Sequence, residues 1–281
     1  NLMSAAFKSD YNENISYAFE MYEPMASTLQ YPATVGGVPA GQKAFLRSQA
    51  LSLTGKYNLS NSGFGLVAGV RQLTIKRSTL NINPAQGDLV TTPDSGIGYV
   101  AGVSYEMPEI ALKVLLTQAP GIDIVVPTTV VGSGTVSQPS FTTLEFETGI
   151  ANNTLLFGSI HQGEHASAQV KLNGIGAISS FTDGEKYNIG VGRKFSEKLS
   201  GSFSYTTEEG SSATGTSLLS PTNGTDTYSI GVNYVTESVD VAFGYAMSSF
   251  GDKAVTTAYG TGNFTNNDAT TTGLRVKFKL P

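Results

Sequence analysis

The 281-residue chain contains no cysteine and no tryptophan. Absent cysteine excludes disulfide frameworks, thiolate metal sites and cysteine nucleophiles together. Charge is also scarce, because Asp, Glu, Lys and Arg make up 14% of the residues, against about 25% in a typical soluble domain. The net charge of −5 argues against nucleic acid as a partner, since that binding needs clustered Lys and Arg. A water-facing surface of ordinary charge density cannot be made from this composition.

Long hydrophobic runs are missing as well. No uninterrupted apolar run reaches 18 residues, which excludes a membrane span of the helical kind. What the chain has instead is a period of two, with apolar residues alternating with Ser, Gly, Asn and Ala. The clearest example is a pair of runs in the C-terminal half: Tyr228, Ile230, Val232 and Tyr234, then Val239, Val241, Phe243, Tyr245 and Met247. In a soluble sandwich the polar face would normally carry charge, and here it does not.

The connections between the alternating runs are short and long in strict turn. Short ones lie near 10–13, 58–62, 107–109, 151–153, 196–198 and 236–238, and long ones near 25–43, 81–95, 119–139, 164–183, 210–225 and 250–268. This is the pattern of bacterial outer-membrane barrels, whose turns are short on one side and long on the other. The sequence therefore predicts an all-β fold, a transmembrane antiparallel up-and-down β-barrel of about 13 strands. A soluble all-β domain is the main alternative.

The strand count also makes a prediction about the ends of the barrel. We interpret residues 1–281 as a single outer-membrane barrel domain. Single-chain bacterial barrels have an even number of strands, and about 13 are visible here. We therefore expect at least one further strand upstream of Asn1.

The order and spacing of several segments resemble the FadL-type family of outer-membrane transporters. The segments are residues 22–27, 52–59, 63–65 with 75–77, 98–106, 240–246 and 251–254. The resemblance implies a fourteen-stranded barrel with an N-terminal hatch, and by that comparison the hatch and the first strand are missing here. It also implies transport of long-chain fatty acids or aromatic hydrocarbons, without a cofactor. The implied partners are a hydrophobic small molecule and outer-membrane lipid; the oligomeric state stays open.

Charges that fall on the predicted inner face are candidates for a ligand site, because a charge aimed at lipid near the midplane costs roughly 2 to 4 kcal/mol. Arg71 and Lys113 fall on that face, and Lys76 joins them if the strand slips by one residue near Gln72. One interpretation is a lumenal network of ion pairs. The other is that Arg71 and Lys76 bind a ligand carboxylate through charge-assisted hydrogen bonds.

Two long connections are unusually apolar for exposed segments. Their apolar residues are Ile82, Leu89 and Val90, followed by Ile122, Ile124, Val125, Val126, Val130 and Val131. Either they pack together and cap the barrel, or, as the resemblance implies, they form an outward hydrophobic groove that captures substrate.

The chain's two histidines lie in a His161-Gln162-Gly163-Glu164-His165 segment. This spelling matches an inverted zinc-protease motif, but the motif requires a helix and this segment follows a predicted strand. We therefore predict no metal site and no enzyme. The leading hypothesis is passive transport of hydrophobic molecules with sideways release through the wall near residues 16–22. A general aqueous porin, or a scaffold whose loops act as an adhesin or receptor, are the alternatives.

Overall fold

The computed structural model describes residues 3–31, 40–60, 62–81, 87–211, 215, 222–257 and 260–279. Thirteen strands form one antiparallel wall in chain order, each hydrogen-bonded to the next. They are β1 (Ala5–Asp10), β2 (Ile15–Tyr22), β4 (Lys43–Asn58), β5 (Phe64–Ile75), β8 (Asp94–Met107), β9 (Leu112–Ala119), β12 (Phe141–Ala151), β13 (Thr154–Gly163), β16 (Gly184–Lys194), β17 (Leu199–Glu208), β18 (Asn223–Val235), β19 (Val239–Gly251) and β22 (Asn267–Phe278). The predicted up-and-down arrangement and strand number are confirmed.

The long connections contain short strands of their own. These are β3 (Ala26–Gln30), β6 (Thr79–Asn81), β7 (Leu89–Val90), β10 (Ile122–Thr128), β11 (Gly132–Gln138), β14 (Lys171–Leu172), β15 (Gly176–Ala177), β20 (Lys253–Thr257) and β21 (Gly260–Phe264). They form a layer at one end of the wall, whereas the described connections at the other end are tight turns, one of them a 3-10 turn at Pro108–Ile110. In the part of the chain that the structure describes, no helix has the length and apolar character to cross a membrane.

The outer surface of the wall is an exposed apolar belt, as the period of two predicts. Tyr99, Ile230 and Phe243 are 59%, 56% and 51% exposed, and their strand neighbours face the opposite side. Exposed large apolar side chains recur on nearly every wall strand. A continuous surface of this kind marks contact with an apolar environment.

The two ends of the strand order are β1 and β22. At the end with the long connections, the ring of Tyr31 lies 6.0 Å from that of Phe264 in an edge-on contact. Tyr31 follows β3 near the start of the wall, and Phe264 ends β21 near its finish. The loop layer thus joins parts of the wall that are far apart along the strand order.

An apolar plug covers part of the inner face. It consists of Ala50, Leu73, Ile75, Ile122, Ile124, Val126 and Val136, all buried in one cluster. The hairpin of β10 and β11 supplies four of these side chains and lies against β8 and β5. The glycines of β8 make the close approach possible, because a Cβ on Gly96 would lie 2.6 Å from Ile122 Cγ2.

The plug bears on the two interpretations of the 119–139 connection. Ile122, Ile124 and Val126 are 4%, 2% and 1% exposed, so the structure places them in the buried plug and not on an outward-facing surface. Alternation in β10 turns them inward and leaves Val125 on the outer side of the hairpin, 58% exposed. The segment folds back into the mouth of the wall because its apolar face is buried there.

We expect Gly96→Val to detach the hairpin while leaving the wall intact, because the added side chain would occupy the space of Ile122. Backbone amides of residues 122–138 should exchange with solvent at least tenfold faster, measured by hydrogen exchange with mass spectrometry. Gly273→Val is the control, since nothing lies within 4 Å of a Cβ at that position. Unchanged exchange in Gly96→Val would contradict the close packing.

Candidate functional site

A small apolar pocket lies in the loop layer, directly beyond the plug. Its volume is about 110 Å³. The apolar side chains that line it come from β4, β6, β7, β10, β11, β14 and the 164–183 connection: Ala44, Phe45, Leu46, Leu80, Leu89, Val126, Val136, Val170, Leu172, Ile178 and Phe181. Val126 and Val136 belong to the plug as well. A molecule in this pocket would therefore rest on the plug.

The predicted capture residues that the structure describes separate into four groups. Ile122 and Ile124 belong to the plug and do not line the pocket. Leu89 and Val126 line the pocket. Val90 and Val131 are half-buried but lie outside the lining, and Val125 and Val130 are exposed. Ile82 lies outside the described residues. The apolar composition of these connections thus indicates the region in which the pocket lies, but it could not show which side chains meet around a cavity.

The side-chain amide of Gln169 holds one wall of the pocket in place. Its Nε2 donates to the carbonyl oxygens of Phe181, Ala166 and His165 at 2.8, 3.0 and 3.3 Å. Its Oε1 accepts from Ser179 Oγ at 2.7 Å and from the backbone N of Phe181 at 3.0 Å. Since these groups span residues 165–181, one side chain fixes the connection that carries Val170, Ile178 and Phe181.

A more polar pocket of about 440 Å³ adjoins the apolar one, and Ser27 and Phe181 line both. His165, Asp183 and Lys253 lie around it. Burial lowers the pKa of Lys253 below its ordinary value. Burial also lowers the pKa of His165, although the carboxylates of Glu208 and Asp183 act in the opposite direction. Within the described residues, no three His, Asp or Glu side chains are placed to hold a metal ion.

Arg71 lies on the inner face, two residues before the plug residue Leu73. Its neighbours across the ladder are Ser52 and Gly98. Nη1 donates to the hydroxyl of Tyr22 at 3.2 Å, and Nε is buried without a hydrogen-bond partner among the residues that the structure describes. A buried donor without a partner is costly, so this guanidinium is suited to receive an acceptor from a ligand.

Lys76 does not join Arg71, because the predicted register slip near Gln72 is absent. The pairing of β4 with β5 runs without a shift from Asn58 and Gly65 to Ser48 and Ile75. Residues 71, 73 and 75 therefore all face inward, and Lys76, which follows the end of β5, is exposed. Its backbone N donates to the carbonyl of Arg47 at 2.9 Å.

Lys113 faces inward, but at the opposite end of the wall. Its Nζ lies 2.7 Å from Glu147 Oε1, and Lys56 pairs with the neighbouring Glu106. In the ladder, Lys113 lies opposite Glu106 of β8, and Arg71 lies opposite Gly98 of the same strand. These two positions on β8 are eight residues apart, or about 26 Å at roughly 3.3 Å per residue. For Lys113 the structure favours the ion-pair network over a ligand site shared with Arg71.

The wall is interrupted just after β2 rather than within it. Residues 16–22, near which a sideways opening was predicted, pair with β4 without a gap. Pairing with β4 stops at Tyr22 and resumes at Ala26, so residues 23–25 lie opposite only residues 48 and 49 of β4. Ser48 fills the break, since its Oγ accepts from Met25 N at 2.9 Å and donates to Met25 O at 2.6 Å.

Sequence reasoning missed Gln169, Tyr22 and Ser48. A signal existed only for the interruption, because Pro24 cannot donate to a ladder and marks an edge or a bulge. Gln169 and Tyr22 are ordinary residues of their segments, and their partners are 12 and 49 residues away along the chain.

Comparison with known proteins identifies the fold. No protein-family model matches the sequence, and no curated protein matches it. Solved structures do match. A Pseudomonas aeruginosa FadL homologue has a TM-score of 0.74 at 12% identity, over 97% of this chain and 76% of that chain. The Ralstonia pickettii toluene transporter TbuX has a TM-score of 0.66 at 11% identity, over 98% and 80%. The CymD monoaromatic hydrocarbon channel gives 0.63 at 12%, over 99% and 82%. The chain has the FadL-like barrel fold that its sequence resembles.

We expect Gln169→Glu to loosen the pocket wall, because a carboxylate cannot donate to the carbonyls that Nε2 now contacts. The local stability of residues 164–183 should fall by about 2 kcal/mol or more, and a protease should cut this connection at least tenfold faster. Gln30→Glu, an exposed glutamine in the same loop layer, should leave the cleavage rate unchanged. Equal rates in the two variants would show that Gln169 does not hold the wall.

Proposed function

We propose that this chain is a passive channel for small hydrophobic molecules in a bacterial outer membrane. The exposed apolar belt matches the lipid-facing surface of such barrels, and the long connections would lie outside the cell. The observation that carries the proposal is the apolar pocket in the loop layer, since a preformed apolar cavity at the outer mouth gives a hydrophobic molecule a place to leave water.

The size of the pocket favours small ligands. At about 110 Å³ it is comparable to an engineered apolar cavity of about 150 Å³ that binds benzene. One aromatic ring, or a short stretch of an alkyl chain, would fill it. The toluene transporter and the monoaromatic hydrocarbon channel that share the fold support a single-ring hydrocarbon as a substrate, while a long-chain fatty acid would place only part of its chain here.

The inward path begins at the plug. Because Val126 and Val136 form both the floor of the pocket and part of the plug, a bound molecule would pass inward when the β10–β11 hairpin shifts. Below the plug it would meet Arg71 and Tyr22, whose hydrogen bond leaves the buried Nε of Arg71 for an acceptor. A carboxylated substrate would be held there longer than a hydrocarbon.

Release would take place sideways at the interruption after Tyr22. This break lies beside the plug, since Tyr22 and Met25 both pack against it. The hydroxyl of Ser48 replaces ladder hydrogen bonds there, so the backbone remains satisfied where the wall is weakest. The route needs no energy source, because the molecule moves from water to lipid down its own gradient.

We expect Leu89→Trp to block the pocket, because the indole would occupy most of its volume. Binding of fluorobenzene, followed by ¹⁹F NMR, should weaken at least tenfold. Val125→Trp is the matched control, since Val125 is exposed on the hairpin and does not line the pocket, and its affinity should stay within twofold. The chain has no other Trp, so a blue-shifted emission in Leu89→Trp alone would verify burial. Equal binding in both variants would contradict the assignment of the apolar pocket as the ligand site.

We expect Arg71→Gln to discriminate between ligands by charge. A hydrogen bond to a charged group contributes roughly 1.5 to 3 kcal/mol, so the affinity for 4-fluorobenzoate should fall about tenfold or more while that for fluorobenzene stays within twofold. Lys277→Gln removes another inward cation, located beside Asp240 at the far end of the wall, and should change neither value. Equal losses for both ligands would contradict a role for Arg71 in binding the carboxylate.

A further inference from the structure

Four cations gather on the outer surface of the wall, just beyond the apolar belt at the end with the long connections. We call Lys43, Arg47, Lys76 and Arg77 the basic rim. Odd residues of β4 face outward, as the exposed Leu53 and Tyr57 show. Lys43 and Arg47 lie further along the same face. The belt ends at Leu51, Gln72 and Ile97, which lie side by side in the ladder.

Adjacent strands supply the rim. The hydrogen bond from Lys76 N to Arg47 O puts these two residues side by side, where Cβ atoms across a ladder lie about 5 Å apart. Lys43 pairs with Asn81 on β6, two ladder positions beyond the pair of Phe45 and Thr79. Arg77 lies in the turn between β5 and β6 and is exposed.

Half of the rim charge is neutralised within the protein and half is not. Arg47 Nε lies 2.7 Å from Glu23 Oε1, and Lys43 Nζ lies 2.7 Å from Asp88 Oδ2. All 22 Asp and Glu residues lie in the described ranges, and within those ranges none forms a salt bridge with Lys76 or Arg77. Four cations and two anions leave a local charge of +2 on a chain whose net charge is −5.

At the same level, on the opposite side of the wall, the outer surface is acidic. Glu185, Asp226 and Asp268 lie on the outward-facing positions of β16, β18 and β22, in step with the exposed Tyr187, Tyr228 and Met247. Positive charge is therefore concentrated on the β4–β6 side instead of being spread around the wall. A surface that is apolar below and cationic above is complementary to a lipid with acyl chains and a phosphorylated head group.

We propose that the basic rim binds the phosphate groups of the phosphorylated glycolipid in the outer leaflet, with its acyl chains on Leu51, Leu53 and Ile97. This inference rests on the outer-membrane location in the proposed function. Ile97 is 80% exposed and pairs with Gln72, which is four residues along the chain from Lys76, or about 13 Å at roughly 3.3 Å per residue. Acyl chains can cover Ile97 while phosphate reaches Lys76 and Arg77. Arg binds phosphate oxygens in pairs, and Lys adds a point charge.

The test is native mass spectrometry of the detergent-purified chain, titrated with bisphosphorylated lipid A and with the same lipid after phosphatase treatment. The expected result is that Lys76→Gln with Arg77→Gln weakens binding of the phosphorylated lipid roughly tenfold or more, and that the treated lipid binds weakly to both proteins. Lys194→Gln with Lys198→Gln removes two exposed cations at the end with short turns and should have no effect.

A conservative exchange guards against misfolding, since Lys76→Arg with Arg77→Lys should retain binding of the lipid. Equal affinity for the two lipid forms, or equal losses in the rim and control variants, would overturn the proposal. Preference for a free sugar phosphate over the lipid would overturn it too. Fluorobenzene binding, measured on the same samples, separates the two hypotheses. If the unaltered chain does not bind fluorobenzene, the proposed transport function is contradicted, whereas the lipid titration reports only on the rim.

Discussion

The structure depends on one constraint, the continuous ladder of backbone hydrogen bonds that runs from β1 to β22. In the lipid environment that the proposed function requires, no water can satisfy the peptide groups of the wall, so its strands must pair with their neighbours along most of their length. Pairing enforces the period of two, and the period separates an apolar outer face from an inner face that is free to vary. Belt, lumen and rim all follow from that separation.

On both sides of β4, side chains replace backbone hydrogen bonds where the ladder is interrupted. Residues 23–25 leave it beside the plug, and Ser48, fully buried, replaces the missing backbone partners. On the other side of β4, Ser78 serves in a similar way, since its Oγ donates to Lys76 O at 2.9 Å. Both neighbours of β4 thus depart from regular pairing at one level. Plug, pocket and basic rim meet there, so the loop layer is joined to the wall where the wall is irregular.

Much of the fold could be predicted from the sequence because its signals are local. Alternation in residues 228–247 indicates two strands wherever they lie in space, and the short break at 236–238 indicates a hairpin. The candidate site was less predictable. Ile122, Ile124 and Val126 were identifiable as an apolar stripe. The same stripe is expected whether the segment folds inward or forms an outward groove. Two glycines on another strand decided between them. Lys76 was assigned to the lumen through a register slip, which requires knowing the partner strands.

The sequence by itself determined the class of the protein: an all-β wall with an apolar outer face, little charge, and connections alternately short and long. These features depend on residues that are near one another in the chain. Only the tertiary structure decided that Leu89, Val126 and Phe181 surround one cavity, that Arg71 keeps a donor without a partner among the described residues, and that Lys76 lies beside Arg47. Each of these depends on the pairing of strands or loops distant in sequence, and on which side chains fill the space between them.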